Sequence, residues 1–132
     1  MTSPPSSSGR PRVGKRSRRR AADVPLAAPE SEYVGPDGAR LALRGVMTPA
    51  TRSEYAAVLA GSPLSREDAW QRAVEFLFER LAVRWEIAGT GPITRQKELL
   101  ARYRFAGVAE RQWIRSVLRE HLAEHFPDLQ AP

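Results

Sequence analysis

The chain is 132 residues long, contains no cysteine and carries 21 Lys and Arg against 15 Asp and Glu. That length leaves room for one domain of about 100 residues, and the absence of cysteine excludes a disulfide framework, a zinc ribbon and a thiol nucleophile. The positive charge is local: Arg10, Arg12, Lys15, Arg16, Arg18, Arg19 and Arg20 all precede the first acid, Asp23, so 21 − 7 = 14 cations face all 15 carboxylates over residues 21–132, a net −1 there against +7 in the tail. A tail of that sign seeks polyanions.

Residues 1–30 hold Pro4, Pro5, Pro11, Pro25 and Pro29, a run of serines at 6–8, and almost nothing to bury. Ordering them would cost backbone entropy without return, so a disordered basic tail is expected. The preference for Arg over Lys, which stands only at 15 and 97, in an Ala- and Pro-rich chain points to GC-rich coding and a bacterial origin. Arg18 and Arg19 match a twin-arginine export pair, but Asp23, Pro25, Pro29 and Glu30 stand where its apolar segment belongs. No apolar run approaches the roughly 18–20 residues of a membrane helix. A soluble, cytoplasmic protein without membrane contact is expected.

Glu32-Tyr33-Val34, the turn Gly35-Pro36-Asp37-Gly38 and Ala39 to Arg44 predict a short hairpin, with Leu41 and Leu43 alternating with Arg40 and Arg44. From Thr48 the period becomes helical. Thr48 caps a first helix with Pro49 in its first turn; Tyr55, Val58 and Leu59 form its stripe, and Gly61 and Pro63 stop it. Ser65 and Asp68 open the main helix, with Leu64 as its staple, and the pattern predicts that it runs to Gly89. Trp70, Val74, Leu77, Phe78, Leu81, Trp85 and Ala88 fall on one face, and Phe76, Val83 and Ile87 on a narrower second one. After the linker Gly89-Thr90-Gly91-Pro92, Thr94 caps a helix with Leu99, Leu100 and Tyr103 inward. The last helix spans about Val108 to His125, with Trp113, Ile114, Val117, Leu118 and Leu122 inward and Pro127 beyond its end.

The segment from Gln96 invites comparison with a DNA-reading helix-turn-helix. That motif needs a small residue, a glycine and an apolar anchor where this chain has Leu100, Arg104 and Glu110, so an ordinary helix pair is expected. Arg111, Arg115 and Arg119 recur every four residues and form a candidate phosphate-tracking stripe that could act with the tail. His121 and His125 share a helix side as a metal pair would, but zinc needs three or four ligands, and a packing role near the helix end is expected. The glycines at 89 and 91 lack the Gly-Lys-Ser/Thr ending of a phosphate loop. Trp70, Trp85 and Trp113 are assigned to the core, and Glu75, Glu79 and Glu86 to a narrow acidic strip on the main helix.

The sequence therefore predicts a mainly α fold: a compact bundle of about four helices behind a short β-hairpin and the tail, with residues 31–132 as one domain. The functional expectation is a non-enzymatic regulatory or architectural protein that meets nucleic acid through Arg10, Arg12, Lys15, Arg16, Arg18, Arg19 and Arg20, with Arg111, Arg115 and Arg119 as a second basic surface. No catalytic residue, metal or cofactor is assigned. The alternative is a protein-protein adaptor or homodimer whose tail binds an acidic partner.

Overall fold

The computed structural model describes residues 29–61 and 65–132. The elements are β1 (Glu30–Val34), β2 (Arg40–Arg44), α1 (Pro49–Ala60), α2 (Arg66–Leu81), β3 (Ala82–Glu86), α3 (Gln96–Arg104) and α4 (Val108–His125). Residues 1–28, all but the last two positions of the expected tail, and residues 62–64, which include the expected staple Leu64, lie outside the described residues, while Glu30, expected in the tail, begins β1.

The fold class is the main correction. In place of a helix bundle behind a lone hairpin, the four helices accompany a three-stranded antiparallel sheet of order β1-β2-β3. The main helix ends at Leu81 rather than Gly89, and Ala82 follows directly with extended backbone (φ −67°, ψ 127°). Val83, Trp85 and Ile87 are β-branched or aromatic residues at every second position, separated by Arg84 and Glu86, a pattern that suits a pleated surface. β2 supplies the edge on which they pair. Leu41 stands opposite Trp85, Leu43 opposite Ala82 and Arg40 opposite Glu86, with an irregularity between Ala42 and Leu43. Beyond the turn closed by the Thr90 amide on the Ile87 carbonyl, Trp85 and Ile93 exchange both backbone hydrogen bonds, at 2.9 and 2.8 Å.

Local chemistry explains most helix ends. Thr48 Oγ1 accepts from the Thr51 amide at 3.1 Å, with Pro49 in the first turn of α1. Gly61 closes that helix at φ +57°, where a Cβ would overlap the Ala69 side chain, so both the backbone angle and the close approach require glycine. Ser65 Oγ caps α2 through the Asp68 amide at 3.1 Å. For α3 the expected Thr94 cap is replaced by Arg95, which makes no side-chain capping bond. At α4 the Glu110 carboxylate accepts from the Gly107 amide at 3.2 Å.

The core unites the inner face of the sheet with all four helices: Leu41 and Leu43 meet Tyr55, Leu77, Phe78, Leu81, Tyr103, Ile114, Leu118 and Leu122. Trp85 is the only one of the three tryptophans that is fully buried, while Trp70 and Trp113 are half-buried and Ala88 is exposed. Phe78 meets the Trp85 ring edge-on at 5.5 Å and stacks on Tyr103 at 5.0 Å, geometries favoured between aromatic rings.

Trp85→Ala should lower the unfolding free energy by about 3–5 kcal/mol in urea denaturation, the range for large aromatic truncations in a core. Ala88→Arg, at an exposed site that a continuous helix would have turned inward, should change it by less than about 0.5 kcal/mol.

Candidate functional site

A part-buried polar cluster joins β1 and β2 to α4. Alternation along β1 puts Ser31 and Tyr33 on one face of the sheet, and the helical period puts His121 and His125 on one face of α4. His121 is fully buried. Its Nε2 lies 2.6 Å from the Arg44 carbonyl oxygen. A carbonyl can only accept, so Nε2 carries the proton, and Nδ1 accepts from the Tyr33 hydroxyl at 2.8 Å. One turn later, His125 Nε2 and Ser31 Oγ are hydrogen-bonded at 2.9 Å. Gly45 leaves room for this second contact, since a Cβ there would stand 3.2 Å from His125 Nδ1.

Burial drives the pKa of His121 down from its usual value, and neighbouring His125 pushes the same way, against the Arg44 carbonyl and Glu124, which favour the charged ring. Burial also raises the Tyr33 pKa, which keeps the hydroxyl a neutral donor. The Ser31–His125 pair has the spacing of a nucleophile and its base. However, the Glu124 carboxylate lies 3.9 Å from the same Nε2 that meets Ser31, so it does not orient the ring from the opposite nitrogen. Neither residue lines the clefts of about 480, 410 and 250 Å³. No group of three His, Cys, Asp or Glu among the described residues could hold a metal ion. The arrangement is a polar clasp between strand and helix.

The basic stripe on α4 is engaged by the protein itself. Arg111 donates to the Arg104 carbonyl at 2.8 Å and lies over the Tyr103 ring. Arg115 covers Trp70 and, with Arg119, donates to the Pro132 main-chain oxygen, at 3.3 and 2.8 Å. The segment after α4 is also held by Arg52 on the Asp128 carboxylate and by the Tyr55 hydroxyl on the Gln130 carbonyl, with burial pushing the Tyr55 pKa up to about 12. It borders a cleft of about 480 Å³ against α1 and α2. The other seven predicted contacts, Arg10, Arg12, Lys15, Arg16, Arg18, Arg19 and Arg20, lie outside the described residues.

The acidic strip does not form as expected. Glu86 belongs to β3, opposite Arg40, and Glu75 is paired with Arg104 at 2.9 Å. On the outer face of the sheet, Glu32 binds both Arg40 and Arg84, at 3.2 and 3.3 Å. A feature that sequence reasoning missed is Phe105 in the α3–α4 turn, 85% exposed beside Val108 at 74%. The signal available was its position just outside the inward stripe of Leu99 and Tyr103. Nearby, a groove of about 410 Å³ runs between α2, α3 and α4, with Val74, Tyr103 and Val108 in its lining.

Comparison with protein-family models, curated proteins and solved structures gives no match to this chain.

Stability should fall on acidification. The unfolded chain, with an ordinary histidine pKa near 6.5, takes up the proton before buried His121 does, so the contribution is complete above about pH 6.5 and is lost as pH falls from there through the depressed folded value. Urea midpoints measured between neutral and mildly acid pH should show the decline, reduced in His121→Gln. Tyr33→Phe leaves Nδ1 without its donor and should cost about 1–3 kcal/mol at neutral pH in the same assay.

Proposed function

We propose that the protein is a non-enzymatic regulatory or architectural protein that associates with nucleic acid through its basic arm. The observation that carries this reading is the separation of charge: seven cations without an acid in residues 1–22, and 14 cations against 15 carboxylates in the remainder. The committed state of the body's guanidinium groups supports it. Arg40, Arg52, Arg80, Arg84, Arg102 and Arg104 are in ion pairs, and Arg111, Arg115 and Arg119 donate to main-chain oxygens. By sequence the arm holds the chain's excess of positive charge, and phosphate attraction is the interaction that a run of cations without acids supplies. The body positions the arm or recruits a partner. The adaptor reading is favoured by a different observation, the exposed Phe105 and Val108, and the two readings concern different parts of the chain.

If all seven arm cations meet phosphates, log affinity against log salt should have a slope of about −5 to −6, from roughly 0.7 to 0.9 per contact. Replacing Arg16, Arg18, Arg19 and Arg20 with alanine should flatten the slope by about 3 to 4 units and weaken all sequences alike. Arg115→Ala with Arg119→Ala should leave the slope within about one unit of the parent, because those groups are held by the chain's own terminal segment. Fluorescence anisotropy with labelled DNA and RNA over a salt series checks all three. A parent protein without salt-dependent binding, or a four-arginine variant that binds as the parent does, refutes the reading.

A further inference from the structure

We propose that the cleft of about 250 Å³ between the hairpin turn, the end of β3 and the start of α4 binds a small molecule with a flat apolar body and an uncharged oxygen acceptor, a carbonyl or amide, held by the Trp85 indole N–H and the Arg102 guanidinium. Such a site belongs to the body and stands apart from any role of the arm.

Trp85 and Ile87, two positions apart at and just past the end of β3, join Pro36 of the turn and Trp113 of α4 in walls that are apolar and largely aromatic, as the linings of small-molecule sites are. The space is many times what one water occupies. A pair of idle donors points to a ligand. Trp85 is 1% exposed, yet its Nε1 has no acceptor among the described residues, and neither has Arg102 Nη1, which is also shielded from solvent. Buried N–H groups are nearly always paired, and an unpaired one costs free energy until an acceptor arrives. The two donors belong to one place, because the Arg102 guanidinium carbon lies 5.1 Å from the centre of the Trp85 ring. Much of the indole is already occupied: Phe78 meets it edge-on and Arg102 lies over its face. Of the clefts of about 480, 410 and 250 Å³, Trp85 borders the last.

Charge narrows the class. Arg102 is already neutralised by Glu110 at 2.6 Å, so its spare N–H needs an acceptor but not a counter-ion. Asp37, which lines the same cleft from the turn, is in no ion pair among the described residues. With Arg102 and Glu110 cancelling, Asp37 leaves the cleft negative, and a carboxylate or phosphate would meet that charge. A neutral carbonyl oxygen has two lone pairs, enough for both donors, and brings no charge to oppose. The tryptophan rings favour a flat aromatic body beside it.

Benzamide is the probe, with toluene and benzoate beside it: the three share a phenyl ring and differ in whether they bring an acceptor and a charge. Added to the full isotope-labelled chain, benzamide should move the Trp85 indole N–H resonance downfield to saturation, with a dissociation constant of about 1 mM. The Trp70 indole, in the wall of the cleft of about 480 Å³, should stay in place. Toluene, which leaves the donors unpaired, and benzoate, which opposes Asp37, should each bind at least about tenfold more weakly. Ala109→Leu, which adds bulk at an exposed position of the cleft wall, should raise the benzamide dissociation constant at least about tenfold with the thermal midpoint unchanged. The proposal is overturned if the shift fails to saturate by about 20 mM benzamide. It is equally overturned if toluene or benzoate binds as tightly as benzamide, or if Ala109→Leu binds as the parent does. A Trp85 indole that exchanges magnetisation with a bound water and ignores benzamide would assign the donors to that water and overturn the ligand site.

Discussion

The pairing of β3 with β2 is the contact on which the other elements depend. α2 passes into β3 at Leu81–Ala82 without a connecting loop, so the strand register fixes where the helix ends and how it leaves the sheet. Register then places Trp85 opposite Leu41, and the indole receives the edge of Phe78 from α2. Tyr103 stacks on Phe78 and brings α3 into place. On the other side of the central strand, β1 carries Tyr33 to His121 of α4. Removing the ladder would leave a helix with no defined end and a hairpin with little to lie on.

The parts of the fold that rest on neighbours in sequence were legible. Thr48 with Pro49 and Ser65 with Asp68 announce the starts of α1 and α2 because a capping side chain bonds an amide three residues away. β3 was not legible in the same way. Leu81 and Trp85 face inward whether the segment is read with a period of 3.6 or of 2, and the deciding partner, β2, lies about forty residues earlier in the chain. The Val83–Trp85–Ile87 alternation was the available signal, absorbed into a second stripe of a supposed longer helix. The clasp was hidden for a similar reason: Tyr33 and His121 are 88 positions apart, and Ser31 and His125 are 94 apart. Phe105 escaped because an exposed aromatic residue fits no amphipathic pattern.

The arginine bias acquires a structural use beyond its charge. Arg52 lies over Phe126, Arg80 over Phe76, Arg102 over Trp85, Arg111 over Tyr103 and Arg115 over Trp70, each within 5.3 Å of the ring centroid. A planar guanidinium can lie over an aromatic face while its in-plane N–H groups reach an acceptor, a stacking geometry that a compact ammonium lacks. Arg102 does both: it covers Trp85 and binds Glu110 at 2.6 Å. The same residue type that gives the tail its net charge thus roofs the core of the body.

The loopless passage from α2 to β3 also governs how the molecule opens. A helix end normally frays because its last turn can unwind into a slack connection. Here there is no slack, since the amide of Ala82 still bonds to Phe78 while the same residue already stands in the ladder opposite Leu43. Unwinding the last turn of α2 therefore pulls on the strand. The amides of that turn and of β3 should therefore open as one cooperative unit, and native-state hydrogen exchange should report a single opening event rather than a gradient of protection along the helix.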